Sequence, residues 1–71
     1  MDKDTMKFVV YMIHVCANTW NIPRTKVYEK LKAAGCIENY LVPYYDVLHT
    51  QSSRYIADDI RLYLTQRGVT L

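Results

Sequence analysis

The chain has 71 residues, enough for one domain; 51% of them are hydrophobic, and only two are glycine and two proline. This composition excludes intrinsic disorder. A globule of this size, however, buries only about 60% of the surface that its unfolded chain exposes, so its stability is marginal unless a disulfide, a metal or a partner adds to it. Nine basic and seven acidic side chains give a formal net charge of +2, a balance too even to indicate nucleic acid or an anionic membrane as the partner.

The first predicted element is a long apolar helix, with capping oxygens at Asp2, Asp4 and Thr5. One apolar row at helical spacing comprises Met6, Val9, Val10, Ile13, Cys16, Ala17 and Trp20. A second row lies roughly opposite and comprises Phe8, Tyr11, Met12 and Val15. A helix that is apolar nearly all round is either the centre of a fold or a subunit contact, and we predict the second row as an interface.

The second helix is predicted over Arg24–Ala34. Pro23 cannot continue the first helix and suits the first turn of the next one, while Gly35 suits the left-handed position that closes a helix. The inward residues of this helix are predicted to be Val27, Leu31 and Ala34, with Tyr28 at the flank.

The remaining chain predicts two further helical stretches. Residues 37–49 have a helical pattern that Pro43 interrupts, which indicates either a kinked helix or a short turn over 37–42 followed by a new helix from Pro43. A polar loop follows, and its serines can cap a last helix over 54–66 that Gly68 ends. We therefore expect an all-α fold, a compact array of three to four short helices forming a single domain over residues 1–71.

Three classes of partner or site are disfavoured by the sequence. The apolar run from Phe8 to Ala17 has about half the length of a membrane span, so we expect no membrane. Four residues are of the types that can bind zinc, namely His14, Cys16, Cys36 and His49. They lack the close pairing of metal sites, so we expect no metal and no other cofactor.

No secretory signal precedes the cysteines, which favours the cytoplasm and free thiols, although a Cys16–Cys36 disulfide stays open as an alternative.

Catalysis would rely on Asp46 and His49, which are three residues apart and can share a helical face, with Ser52 close behind. The plainer interpretation is that His49 caps the last turn of a helix while Asp46 steadies its ring. A domain of this size also has little room for a water-excluding pocket, so we predict no enzyme and no catalytic residue.

Nucleic-acid binding is the weaker alternative to protein binding. The second helix carries four basic residues, Arg24, Lys26, Lys30 and Lys32, and helices two and three could form a helix-turn-helix. However, these side chains project in different directions. This arrangement is more typical of a solvent-exposed helix face than of a row of basic residues that contacts a phosphate backbone.

The aromatic content favours a protein partner or a homo-oligomer. Seven tyrosines, one tryptophan and one phenylalanine make 13% of the chain aromatic. A core this small cannot enclose so many large rings, and tyrosine and tryptophan are enriched at interfaces. The sequence therefore predicts a small protein-protein interaction module.

The segment Tyr45-Asp46-Val47-Leu48-His49-Thr50-Gln51, followed by Tyr55-Ile56-Ala57-Asp58-Asp59-Ile60, resembles the signature of a family of small bacterial proteins known only as a domain of unknown function. The likeness extends over nearly the whole chain. Two departures concern the loop around His49: Ser52 stands where the family often has glycine, and Pro43 interrupts the third helix.

The resemblance implies a role and a set of residues. Members of this family are typically encoded beside a protein that looks like an ADP-ribosyltransferase, in arrangements similar to toxin and antitoxin pairs. It thus implies binding to such a neighbour and no reaction of its own. The candidate binding residues within the quoted segments are Tyr45, Asp46, His49, Gln51, Tyr55 and Asp59.

Overall fold

A computed structural model describes residues 1–71 and contains helices and turns without any strand. Its four α-helices are α1 (Lys3–Trp20), α2 (Arg24–Ala33), α3 (Tyr45–Leu48) and α4 (Ser53–Gln66), and a π-helical segment covers Ile37–Leu41. The predicted all-α fold is therefore confirmed.

The helix ends follow local capping chemistry. Asp2 Oδ1 accepts a hydrogen bond of 2.7 Å from the Thr5 backbone N–H and caps α1, and Ser52 Oγ accepts one of 3.1 Å from the Tyr55 N–H and caps α4. Asn21 ends α1 in the left-handed conformation with φ of 57°. Gly35, with φ of 70°, turns the chain after α2, as the sequence predicted.

Pro43 determines the irregular stretch between α2 and α3. Its missing N–H and its ring prevent a regular hydrogen bond to the carbonyl of Asn39, four residues earlier. The preceding turn is widened, and Val42 donates instead to the Ile37 carbonyl at 3.0 Å, five residues back. Of the two predicted alternatives, the short turn and separate helix is the one found, although α3 begins at Tyr45, two residues later than expected.

The core forms around α1, which packs against both α2 and α4. Thirteen buried hydrophobic residues make one cluster, namely Val9, Met12, Cys16, Ala17, Val27, Leu31, Cys36, Leu41, Leu48, Ile56, Ala57, Ile60 and Leu64. Every helix contributes to this cluster. Because α1 packs against both α2 and α4, it is the central helix of the fold. None of the helices combines the length and the apolar character required to cross a bilayer.

The two methionines Met12 and Met6 give a matched test of this arrangement, since they lie on the same helix and are 0% and 53% exposed. Met12→Ala should lower the free energy of unfolding by about 2–5 kcal/mol, because it leaves a cavity in a close-packed core. Met6→Ala should lower it by less than about 0.5 kcal/mol. Urea unfolding followed by circular dichroism measures both, and equal midpoints would contradict the placement of α1. If Met12→Ala yields no folded protein, the decrease in the free energy of unfolding lies at or above the upper end of this range.

Candidate interaction surface

His49 and Tyr45 form a closed local pair at the end of α3. The two rings stack with centroids 4.6 Å apart, and His49 Nδ1 lies 2.8 Å from the Tyr45 backbone oxygen. Because a carbonyl oxygen can only accept, this bond places the proton on Nδ1. His49 therefore caps the last turn of α3, and Tyr45 rather than Asp46 steadies its ring.

The other predicted binding residues do not join this pair in one cleft. Asp46 is exposed and lines a shallow hollow with Tyr45, Thr5 and Pro43 at the start of α1, but His49 does not line this hollow. Gln51 is exposed in the loop before α4. The candidate catalytic pair of Asp46 and His49 is thus not assembled, because the imidazole already bonds to its own helix.

Asp59 and Tyr55 belong to a different part of the surface. The Tyr40 hydroxyl donates a hydrogen bond to Asp59 Oδ2, which ties the π-helical segment to α4. Tyr55 is exposed beside this contact on the first turn of α4. The six predicted binding residues therefore do not come together in one site.

An aromatic row continues from Tyr40 along α4. The Tyr40 ring stacks on that of Tyr63 with centroids 5.6 Å apart, and Tyr44 lies 6.3 Å from Tyr40 on the other side. The Arg67 guanidinium covers the far end, 3.4 Å from the Tyr63 centroid. Tyr40 and Tyr63 are half-buried by this packing and Tyr44 stays largely exposed, so part of the aromatic content is used within the fold.

The predicted interface row on α1 is partly wrong. Met12 is 0% exposed and belongs to the core, so it cannot contact a partner in this fold. Phe8 is half-buried and packs edge to face on Tyr45, with centroids 5.5 Å apart, and Val15 is also half-buried. Only Tyr11 of this row is largely exposed, and its role in an interface stays a prediction.

The largest apolar opening lies instead between α1 and α2. Two adjoining hollows of about 530 and 500 Å³ share Val10, Ile13 and Tyr28 in their walls. Met6 adds to the first hollow, and His14 borders the second. We call this continuous depression the α1–α2 groove, and its residues Met6, Val10 and Tyr28 are 53%, 48% and 46% exposed.

The rim of the α1–α2 groove is charged at both ends. Lys32 and Glu38 border one end, and Lys32 Nζ lies 5.9 Å from the centroid of the Tyr28 ring. Arg24 borders the other end, where its Nη1 lies 3.3 Å from His14 Nε2. An apolar floor between charged ends is typical of sites that bind another protein.

The sequence did not indicate this groove, because the predicted interface lay on the opposite row of α1 from Met6 and Val10. The missed signal is the difference in helix length, since α1 has 18 residues and α2 only 10. At 1.5 Å per residue these helices span about 27 and 15 Å, so α2 cannot cover the whole flank of α1.

The possible metal ligands do not form one group. Cys16 and Cys36 are free and buried, as the sequence favoured, whereas His14 is exposed beside Arg24 and His49 is bonded to α3. The structure contains no group of three or more side chains of histidine, cysteine, aspartate or glutamate that could hold a metal ion.

Comparison with protein families matches residues 7–67 to a family described as a protein of unknown function, DUF3791. The chain belongs to this family. Comparison with curated proteins and with solved structures finds no match. This agrees with the predicted resemblance to a family of unknown function. The matched region includes all four α-helices except the first residues of α1.

Burial raises the pKa of Cys16, Cys36 and Tyr40 most strongly among the groups of the DUF3791 domain. Desolvation raises the pKa of both Cys16 and Cys36 from 9.0 to about 12. Burial, and then the hydrogen bond to Asp59, raises the pKa of Tyr40 above its ordinary value of 10.0. The neutral forms of these groups are thus favoured by the fold.

Stability should therefore fall at alkaline pH. A group whose pKa is raised by folding stabilises the fold fully below its unfolded pKa, and this contribution is lost as the pH rises toward its folded pKa. The loss begins near pH 9.0 for the thiols and near pH 10.0 for Tyr40. Tyr40→Phe should show a smaller decrease in the free energy of unfolding across this range than Tyr44→Phe, its exposed control. Urea unfolding at several pH values checks this, and identical slopes would count against it.

Proposed function

We propose that this DUF3791 chain is a small protein-protein interaction module that binds its partner through the α1–α2 groove. The observation that carries the proposal is the exposure of Met6, Val10 and Tyr28 side by side in one depression. Burial of apolar surface stabilises a complex by roughly 25 cal/mol per Å², and such patches on a small domain mark interaction sites. The module works in the reducing cytoplasm, consistent with two free buried thiols.

The partner that we propose is the ADP-ribosyltransferase-like protein that the family resemblance implies as a genetic neighbour. The chain would act as its antitoxin-like or accessory subunit. A domain of 71 residues that gains stability from a partner fits the role of a tightly held subunit. Self-association through the same surface is the second form of this proposal.

DNA binding through the basic α2 is the alternative function. Its support is the excess of basic residues on this helix. Against it, Lys26 is 3.6 Å from Glu29 and Lys30 donates to the Thr70 carbonyl at 2.6 Å. The four residues of α3 are also too few for a recognition helix along the major groove.

Val10→Asp tests the proposed surface, with Leu62→Asp on α4 as its control. Both positions are helical and about half exposed, so both variants should fold. Val10→Asp should weaken the complex with the ADP-ribosyltransferase-like neighbour at least about tenfold, because it places a charge in the apolar floor. Isothermal titration calorimetry with purified proteins measures the dissociation constants, and Leu62→Asp should leave them unchanged.

Three outcomes would go against the proposal. A complex that tolerates Val10→Asp as well as Leu62→Asp would remove the α1–α2 groove from the binding surface. A chain that forms no complex with the neighbour and stays monomeric in light scattering would remove the interaction function. Salt-sensitive DNA binding that decreases when Lys26 and Lys30 are replaced would favour the alternative.

A further inference from the structure

The segment between α2 and α4 is joined to the other helices by few directional contacts. We call residues 36–51 the strap; it contains the π-helical segment and α3. Every backbone hydrogen bond that the strap makes has its partner within the strap or at Gly35, which directly precedes it. The hydrogen bond from Tyr40 to Asp59 is the only one of any kind that joins the strap to α1, α2 or α4.

The secondary structure of the strap is too short to be stable by itself. Its only α-helix has four residues, whereas isolated helices shorter than about 12 residues are marginal in water. Pro43 also removes one backbone donor in the middle of the strap. The strap is therefore ordered only while it is packed against the other helices.

Most of the core does not depend on the strap. Of the thirteen residues in the hydrophobic cluster, the strap supplies Cys36, Leu41 and Leu48, and the other ten lie on α1, α2 and α4. Two ring contacts add to the attachment of the strap, because Tyr45 packs on Phe8 and Tyr40 packs on Tyr63. Since α1 packs directly against both α2 and α4, these three helices keep most of their mutual contacts without the strap.

We infer that the strap detaches from the core as one unit while α1, α2 and α4 stay folded, and that the hydrogen bond from Tyr40 to Asp59 keeps it closed. Segments that bury few apolar side chains open at a lower free energy than the rest of a fold. Opening exposes Cys36, Leu41 and Leu48, and it leaves the Asp59 carboxylate without its partner. This conformational change is separate from the proposed binding at the α1–α2 groove.

The two cysteines provide a matched test, since Cys16 lies on α1 and Cys36 lies in the strap. Both side chains are 0% exposed, and burial raises the pKa of both thiols to about 12, so neither reacts in the closed form. Labelling with iodoacetamide, followed by mass spectrometry of peptides, measures each rate relative to that in the urea-unfolded chain. Cys36 should be labelled at least about tenfold faster than Cys16. Its rate should also rise less steeply with urea, because opening of the strap exposes less surface than global unfolding.

Substitutions in the strap should affect both thiols. Tyr40→Phe removes a hydrogen bond that exists only in the closed form, so it should raise the labelling rates of Cys36 and Cys16 roughly tenfold, as expected for a bond to a charged acceptor. Tyr44→Phe is the control, because it removes an exposed hydroxyl from the same strap, and it should change neither rate.

A substitution outside the strap should separate the two thiols. Val27 is buried on α2, and its packing is kept when only the strap opens. Val27→Ala should therefore accelerate the labelling of Cys16, which requires global unfolding, and leave the rate of Cys36 unchanged. The comparison of the two thiols in the unsubstituted chain does not depend on whether Val27→Ala folds.

Three results would overturn the inference. Equal labelling rates with equal urea dependence would show that the chain opens only as a whole. Acceleration of Cys36 by Val27→Ala to the same extent as Cys16 would show the same. If Tyr40→Phe changed the rate of Cys36 no more than Tyr44→Phe does, the hydrogen bond to Asp59 would not be what keeps the strap closed.

Discussion

The structure depends on how much of α1 its short neighbours can cover. This helix is apolar around most of its circumference, and it is also the longest element in the chain. The core takes the side that carries Val9, Met12 and Cys16, between α2 and α4. Because α2 is only about half as long as α1, apolar side chains remain at the surface on that flank, and the α1–α2 groove is the result.

Most of the fold was predictable because it is governed by local chemistry. Caps at Asp2 and Ser52, and left-handed turns at Asn21 and Gly35, follow from residue types that have few alternatives at those positions. The stretch around Pro43 was predictable only as a pair of alternatives. Whether a proline kinks one helix or separates two depends on packing against the rest of the fold, which a sequence pattern does not contain.

The candidate interaction surface was less predictable, for a reason that lies in α1. Hydrophobic periodicity identifies an inward face by contrast with a polar one, and this helix offers little contrast. Met12 belongs to the predicted interface row but is buried, whereas Met6 and Val10 belong to the opposite row and are about half exposed. Their positions follow from the direction in which α2 and α4 approach, which is set by contacts distant in sequence.

The candidate binding residues within 45–60 and the residues of the groove differ in what they still have to gain from a partner. His49 already bonds to α3 and Asp59 already accepts from Tyr40, so a partner would have to break those contacts before making new ones. Val10 and Tyr28 have exposed apolar surface, whose burial lowers the free energy directly. This asymmetry assigns the first group to holding α3 and the π-helical segment in place, and it leaves the groove as the better surface for binding.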